Sequence, residues 1–466
     1  MYKRELPRRS RAAGKTAADS LSSGVSSRAP SSDSKSRSVR QTPRTAAKLH
    51  PSIKIFMIAL VIPWIIPLGG VNFPIYRIVL LSMLVPCLAH WLQKKAGTVR
   101  AADVGVFAYC IWIGIALTAT QGFAKALQPS SSFFIDGFGA YLLGRCYIRS
   151  AEDFGQMVSF AVKLLAALLP FALYEWMTGK TILLTMFGAV FPTVEFADMP
   201  PRLGLFRVQG PFSHPILFGV FCGSIFALVC SVPSSTGFAF GRGFSACIVA
   251  VSVMLSMSSA PLAGVAFQAA LLIWCKALSR FSWNLNVLWA LVLTGYLIVE
   301  FGSNQTPIQF YISHFTFDTQ TGWYRLLIWD FGSASVMNHP LFGIGLDDWV
   351  RPPWMASKSV DNFWLLTAMR YGLPALVIIS MSCLVLWISL VRKRTLPAAL
   401  KPYRQAYLIC MVTFVFVGST VHFWASLYSW FFFLLACGVW LLDINREASS
   451  EAVRMPSRKV RIPPTL

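Results

Sequence analysis

Acidic side chains are scarce in this chain: 19 Asp and Glu stand against 41 Lys and Arg, and charged residues of both signs make up only 13% of 466. So little charge, with 55% hydrophobic residues and a mean hydropathy of +0.58, excludes an ordinary soluble domain. Histidine is limited to six, and no EF-hand, DxD or HExxH spacing exists to make a metal site specific. Walker loops, dinucleotide fingerprints and GxSxG elbows are also missing, which argues against nucleotide-driven chemistry and implies neither cofactor nor metal. The ten cysteines form no CxxC pair and nearly all lie in apolar runs, so they are expected as small core residues. No internal repeat and no matched pair of Gly/Pro-broken segments is visible, which weakens a transporter.

What the chain has is a series of apolar runs long enough to cross a hydrocarbon core. They fall near 53–69, 73–92, 102–120, 134–148, 156–176, 214–232, 241–257, 260–277, 284–301, 373–391, 405–420 and 423–442. The fold expected is an all-α polytopic membrane protein of about twelve spans, within the range 10–12. Residues 1–49 carry twelve Lys or Arg against three acids and no apolar period, as in a disordered basic cytoplasmic tail. A membrane domain at 50–443 and a second cytoplasmic tail at 444–466 follow. With the N-terminus inside, the short loops holding Lys94, Lys95, Arg100, Arg145, Arg149, Arg242, Lys276, Arg280 and Arg392 to Arg404 all fall on the cytoplasmic side. The net charge of +22 thus reads as a topology signal, with no nucleic-acid partner implied.

Two longer segments land on the opposite, periplasmic face: 178–213 and 302–372. Their cations run against the charge bias and need another reason. In the first, Arg202, Arg207 and His214 sit among glycines, a composition suited to holding a phosphate at a membrane interface or to snorkelling into lipid head groups. In the second, an amphipathic helix is expected from Gly322 to about Asn338, with Leu326, Leu327, Trp329 and Phe331 on its apolar side and Arg325 facing a cavity. His339 precedes a proline in a turn-like run, where a structural role competes with a catalytic one. Asp361-Asn362 opens an apolar run, so either could be a helix cap, and Asp361 could instead be a general base on a sugar hydroxyl. Arg351 is a further candidate for substrate binding in the same segment.

In order along the chain stand Arg207-x-x-Gly210-x-Phe212-x-His214-Pro215, Leu255-Ser-Met-Ser258-Ser259-Ala-Pro-Leu, Gly322-x-x-Arg325-x-x-Ile328-Trp329, His339-Pro-Leu-Phe-Gly-Ile-Gly345, and Asp361-Asn362-Phe-Trp-Leu with Tyr371-Gly-Leu-Pro374. This order resembles the O-antigen ligase and polymerase superfamily over roughly residues 130–440. The resemblance implies a metal-independent glycosyltransferase of the bacterial inner membrane, using a polyprenyl-diphosphate-linked oligosaccharide on the periplasmic face. Carried over onto this sequence, Arg207 and Arg325 would clamp the diphosphate leaving group, with Asp361 the third catalytic candidate. Arg202, His214, Trp329, His339, Asn362 and Arg351 would contact substrate.

Two departures narrow the resemblance. Family ligases commonly carry His-Asn where this chain has Asp361-Asn362, and many members carry Ser-Arg where it has Ser258-Ser259. Together with Gly-Ala-Tyr141-Leu-Leu-Gly-Arg145, the pattern is more similar to the exopolysaccharide-polymerising branch, whose partners would include membrane lipids, a chain-length regulator and export machinery. A ligase moving glycan to a lipid or protein, and a flippase for lipid-linked glycan, are the alternatives.

Overall fold

The computed structural model describes residues 49–69, 71–202, 204–232, 241–278, 284–304, 306, 310, 319–355 and 357–444. The expected tails at 1–49 and 444–466 therefore lie, but for Leu49 and Ile444, outside the described residues.

The chain is mostly helical. Six described helices are long and apolar enough to cross a membrane: Ile75–Leu92, Ala101–Gln121, Ala151–Thr178, Ser259–Ala277, Phe363–Arg392 and Ser426–Asp443. Shorter apolar helices occur at Pro51–Leu60, Pro215–Ser231, Arg242–Leu255 and Leu293–Gly302. Several expected spans are thus interrupted. The first stops after ten residues, because Pro63 and Pro67 cannot continue a helix. The chain there turns into a short antiparallel hairpin, Ile65–Leu68 against Val71–Pro74. Cys87, Cys110, Cys146, Cys222, Cys410 and Cys437 are buried, whereas Cys247 is exposed and the other three, Cys230, Cys275 and Cys383, are half-buried.

At the centre stands Ser426–Ala436, every residue of which is buried, against the neighbouring Ala140–Tyr147. Aromatic rings fill this core: Phe433 meets Trp430 and Phe56, and Phe431 meets Phe414, Phe423 and Phe363. One end of the bundle is tied by buried charge. Arg145 lies 3.4 Å from Asp103 and 3.2 Å from Asp443, and also donates to the carbonyls of Ala96 and Thr98. Tyr141 donates to Asp103, and Arg100 pairs with Asp443 at 2.6 Å. Arg145, expected in a short cytoplasmic loop, is instead a buried tie between helices.

The long helix Phe363–Arg392 runs from the far end of the bundle to this tie, where Lys393 donates to the Leu442 and Ile444 carbonyls. It is broken at Gly372, where φ +81° and ψ 171° are open to glycine and costly for other residues. Pro374 follows and supplies no amide. The carbonyls freed by the break are all met: Met369 by the Ile344 amide at 2.8 Å, Arg370 by that of Gly345 at 2.9 Å, and Tyr371 by the Trp112 indole at 2.9 Å. The Leu373 amide in turn donates to the Pro340 carbonyl at 2.7 Å. The His339-to-Gly345 run is thus a clasp on a broken helix, in which Gly343 lies too close to Met369 and Arg370 to admit a Cβ.

Replacing Gly372 by alanine places a Cβ 2.0 Å from the Leu341 carbonyl and forces an unfavourable φ. The variant is expected to lose about 2 kcal/mol or more. A lowered thermal midpoint of the detergent-solubilised protein would register this, and an unchanged midpoint would refute the clasp.

Candidate functional site

At the end of the bundle opposite the Arg145 tie, the segment 201–214 folds over the turn at 255–258. The Val208 amide donates to the Leu255 carbonyl at 3.0 Å, and Arg202 and Leu205 pair through both amides. Arg202 Nη1 donates to the Met257 carbonyl at 3.0 Å, and Arg207 Nη2 to Ser258 Oγ at 3.1 Å. Met257 holds a positive φ of 46°, unusual for a side chain of this kind, so the turn is shaped to present these acceptors.

The segment is fixed from below by Glu175. Its buried carboxylate accepts from the Gln209 amide at 2.7 Å and from the Gly210 amide at 3.1 Å. Gln209 extends the net, its side-chain amide donating to the carbonyls of Glu195 and Phe212 while its Oε1 accepts from the Ala197 amide. Two short stretches of loop are thereby locked around one glutamine.

Arg207 is half-buried and, among the described residues, has no carboxylate within ion-pairing distance. Its Nε is shielded from solvent and finds no hydrogen-bond acceptor among those residues. Burial, followed by the neighbouring Arg202, lowers its pKa to about 10, so it stays charged at neutral pH. A half-buried guanidinium with no carboxylate partner among the described residues has the chemistry to take an anion.

His214 caps the helix Pro215–Ser224, its Nδ1 accepting from the Ile216 amide at 3.1 Å. Burial, then the charge of Arg207, pushes its pKa down to about 4; Asp361 opposes and Arg202 adds to the shift. Its ring meets Trp424 edge-on, and the Trp424 indole donates to Ser213 Oγ at 3.0 Å.

Asp361 joins this group to the second. It lines a narrow cleft with Arg325, Trp329, Asn362, Leu365 and Ser419. Arg325 is buried in the helix Thr319–Asn338, which starts three residues earlier than expected and packs its Ile328 side against Leu365, Leu366 and Met369. The helix cap is Asn362, whose side chain accepts from the Leu365 amide at 2.9 Å. That leaves the Asp361 carboxylate with Ser359, whose hydroxyl donates to it at 2.8 Å.

Seven of the nine sequence candidates therefore gather: Arg202, Arg207 and His214 from one segment, Arg325, Trp329, Asp361 and Asn362 from the other. His339 is not among them; it is exposed at the end of its helix and its carbonyl serves the clasp by accepting from Gly343. Arg351 is also elsewhere, gripped by Asp348 at 2.5 and 3.1 Å and folded over the Trp349 ring, so that Asp348 raises its pKa. The residues the sequence did not single out are Gln209, Trp424, Arg77 and Asp136, while Arg370 stood out only as one of the cations that run against the charge bias. Arg77 and Asp136 are ionisable groups inside apolar stretches, and that placement was a signal available beforehand.

Residues 244–380 match the sequence model of the O-Antigen ligase family, which supports the O-antigen ligase-like superfamily resemblance. The match spans the Ser258 turn, Arg325, the clasp and Asp361, and it indicates glycan transfer of the ligase or polymerase kind; that family acts on lipid-linked oligosaccharide. With several apolar helices, it describes a multi-pass membrane protein. No curated protein matches the chain.

The His214 environment sets a pH window. Between about 6.5 and about 4 the unfolded chain takes up a proton that the folded histidine refuses, so stability falls as the pH drops through that interval. The loss from this group is at most about 3 kcal/mol. His214→Asn keeps a cap acceptor but no titration, so its thermal midpoint in detergent should decline less than that of the unaltered protein between pH 6.5 and 4. Parallel declines would remove His214 from this role.

Proposed function

We propose that this protein polymerises polyprenyl-diphosphate-linked oligosaccharide repeat units into an exopolysaccharide at the periplasmic face of a bacterial inner membrane. The observation that carries the proposal is the half-buried Arg207, which has no carboxylate partner among the described residues, in the same group as Arg325. On this reading the two loops 178–213 and 302–372 are periplasmic, both termini are cytoplasmic, and the interrupted helices make up the balance of about twelve crossings.

The reaction breaks the bond between the anomeric carbon and the diphosphate oxygen while an acceptor hydroxyl forms the new glycosidic bond, with inversion. Negative charge grows on the departing diphosphate. Arg207 and Arg325, with Arg202 beside them, stabilise it by forked hydrogen bonds in a site screened from water, so no metal is required. The acceptor's proton goes to Asp361, which Asn362 relieves of capping duty. Trp329 walls the cleft, His214 stands beside Arg207 as a substrate contact, and membrane lipids, a chain-length regulator and export machinery are the expected partners.

A ligase reading is favoured by one observation, the description of the family whose model matches residues 244–380. Asp361 in the position of the ligase histidine supports the polymerase. Deleting the gene separates them: single repeats left on the lipid mark a polymerase, whereas accumulated full-length lipid-linked polymer marks a ligase.

Arg207→Ala and Arg325→Ala should each lower polymer yield by about a hundredfold or more while membrane levels of protein stay unchanged, with lysine in either place recovering part of the activity. Gel analysis of cell-surface glycan beside a membrane immunoblot reads both quantities. Normal polymer from either alanine variant would withdraw that arginine from the leaving-group site.

A further inference from the structure

A second cavity, of about 330 Å³, lies on the other face of the first turns of Phe363–Arg392. Phe363, Thr367, Arg370 and Tyr371 point into it, whereas Asn362 and Leu365 face the Arg325 cleft, as the 3.6-residue period requires. One helix thus separates the two spaces. Trp424 lines the cavity while its indole donates to Ser213 beside His214.

The cavity is of small-molecule size, and its lining is an unusual mixture for the interior of an apolar bundle. Asp136 enters it from a single turn of π-helix, Ile135–Gly139, a distortion that concentrates at functional sites. Asp136 is matched by Arg77 through two hydrogen bonds of 2.9 and 2.6 Å, so that pair carries no net charge. Arg370 also lines the cavity but, among the described residues, has no carboxylate within 4.0 Å. His422 is held neutral there, burial and then Arg370 pushing its pKa down to about 3. The sum within the walls is one uncompensated positive charge. Around it stand hydroxyls from Ser132, Thr367 and Tyr109, and aromatic faces from Phe133, Trp424 and Tyr428.

We propose that this cavity is a saccharide subsite selective for a sugar ring that bears a carboxylate, with Arg370 as the residue that reads the acid. Hydroxyls answer to the wall hydroxyls and the Arg77–Asp136 pair, ring C–H faces pack on the aromatics, and the carboxylate meets the lone guanidinium. A diphosphate suits it less well, since one positive charge opposes several negative ones, while Arg325 lines the cleft on the other side of the helix. The inference rests on the glycan-transfer reading for its biological meaning, but the binding it describes is measurable without turnover.

The test uses the full-length protein in nanodiscs, with a glucuronic-acid-containing disaccharide, its glucose-containing neutral counterpart and inorganic pyrophosphate as probes, followed by Trp fluorescence and by calorimetry. The acidic disaccharide should bind about tenfold or more tightly than the neutral one. Arg370→Gln should abolish that preference and leave pyrophosphate binding intact; Arg207→Ala should do the reverse. Ser132→Phe, which fills the cavity without touching a charge, should weaken both disaccharides, and an unchanged thermal midpoint for each variant excludes misfolding. Equal binding of the two disaccharides, an acid preference that survives Arg370→Gln, or pyrophosphate binding that depends on Arg370 would each overturn the proposal. Loss of polymer in Arg207→Ala cells is scored apart, so failure of the polymerase reading and failure of the subsite are distinguishable.

Discussion

A backbone amide or carbonyl that water cannot reach has to find a partner inside the protein, and in a bundle of interrupted helices this requirement governs nearly everything. Wherever a helix stops short, a particular side chain or loop completes it. At the break between Pro215–Ser224 and Phe226–Ser231, Gln268 donates to the Gly223 carbonyl and accepts from the Ala227 amide, each at 2.9 Å. At Gly372 the clasp performs the same task with backbone alone, and at 209–210 the Glu175 carboxylate takes two amides. These repairs are what allow non-helical backbone within the bundle, and the non-helical backbone is what carries Arg207, Asp361 and Trp424.

Charge obeys the same rule with a larger penalty. The acid-poor composition leaves few carboxylates to share, and their placement sorts the arginines into two kinds. Arg77, Arg100, Arg145 and Arg351 each have an aspartate and act as ties. Arg207 and Arg370 have none among the described residues; Arg207 donates to Ser258, and Arg370 lines the cavity beside Phe363–Arg392. Scarcity of acid is thus informative residue by residue: it separates the arginines tied by an aspartate from those that keep none among the described residues.

Much of the candidate site was legible in the linear order of short motifs, because positions proposed to hold a charged leaving group need specific residue types at specific spacing. Arg207, Arg325 and Asp361 stood out for that reason. His339 and Arg351 had the same chemical appearance, and nothing in their neighbours separated them from the others. What separates them is tertiary: His339 belongs to a clasp whose partner is thirty residues on, and Arg351 is neutralised by Asp348 three residues back. The first apolar run read as a span because hydropathy averages over a window, while two prolines end the helix at single positions.

The sequence alone determined the helical, membrane-spanning class, because apolar length and a lack of charge suffice for that. It also determined which residue types were available for the proposed diphosphate site, since guanidinium chemistry is local. Only the tertiary structure decided which arginines keep an acid and which do not, and that one helix, broken at Gly372, divides the Arg325 cleft from a second polar cavity. Pairing of charges and continuity of helices depend on residues far apart in the chain, and no local spacing encodes them.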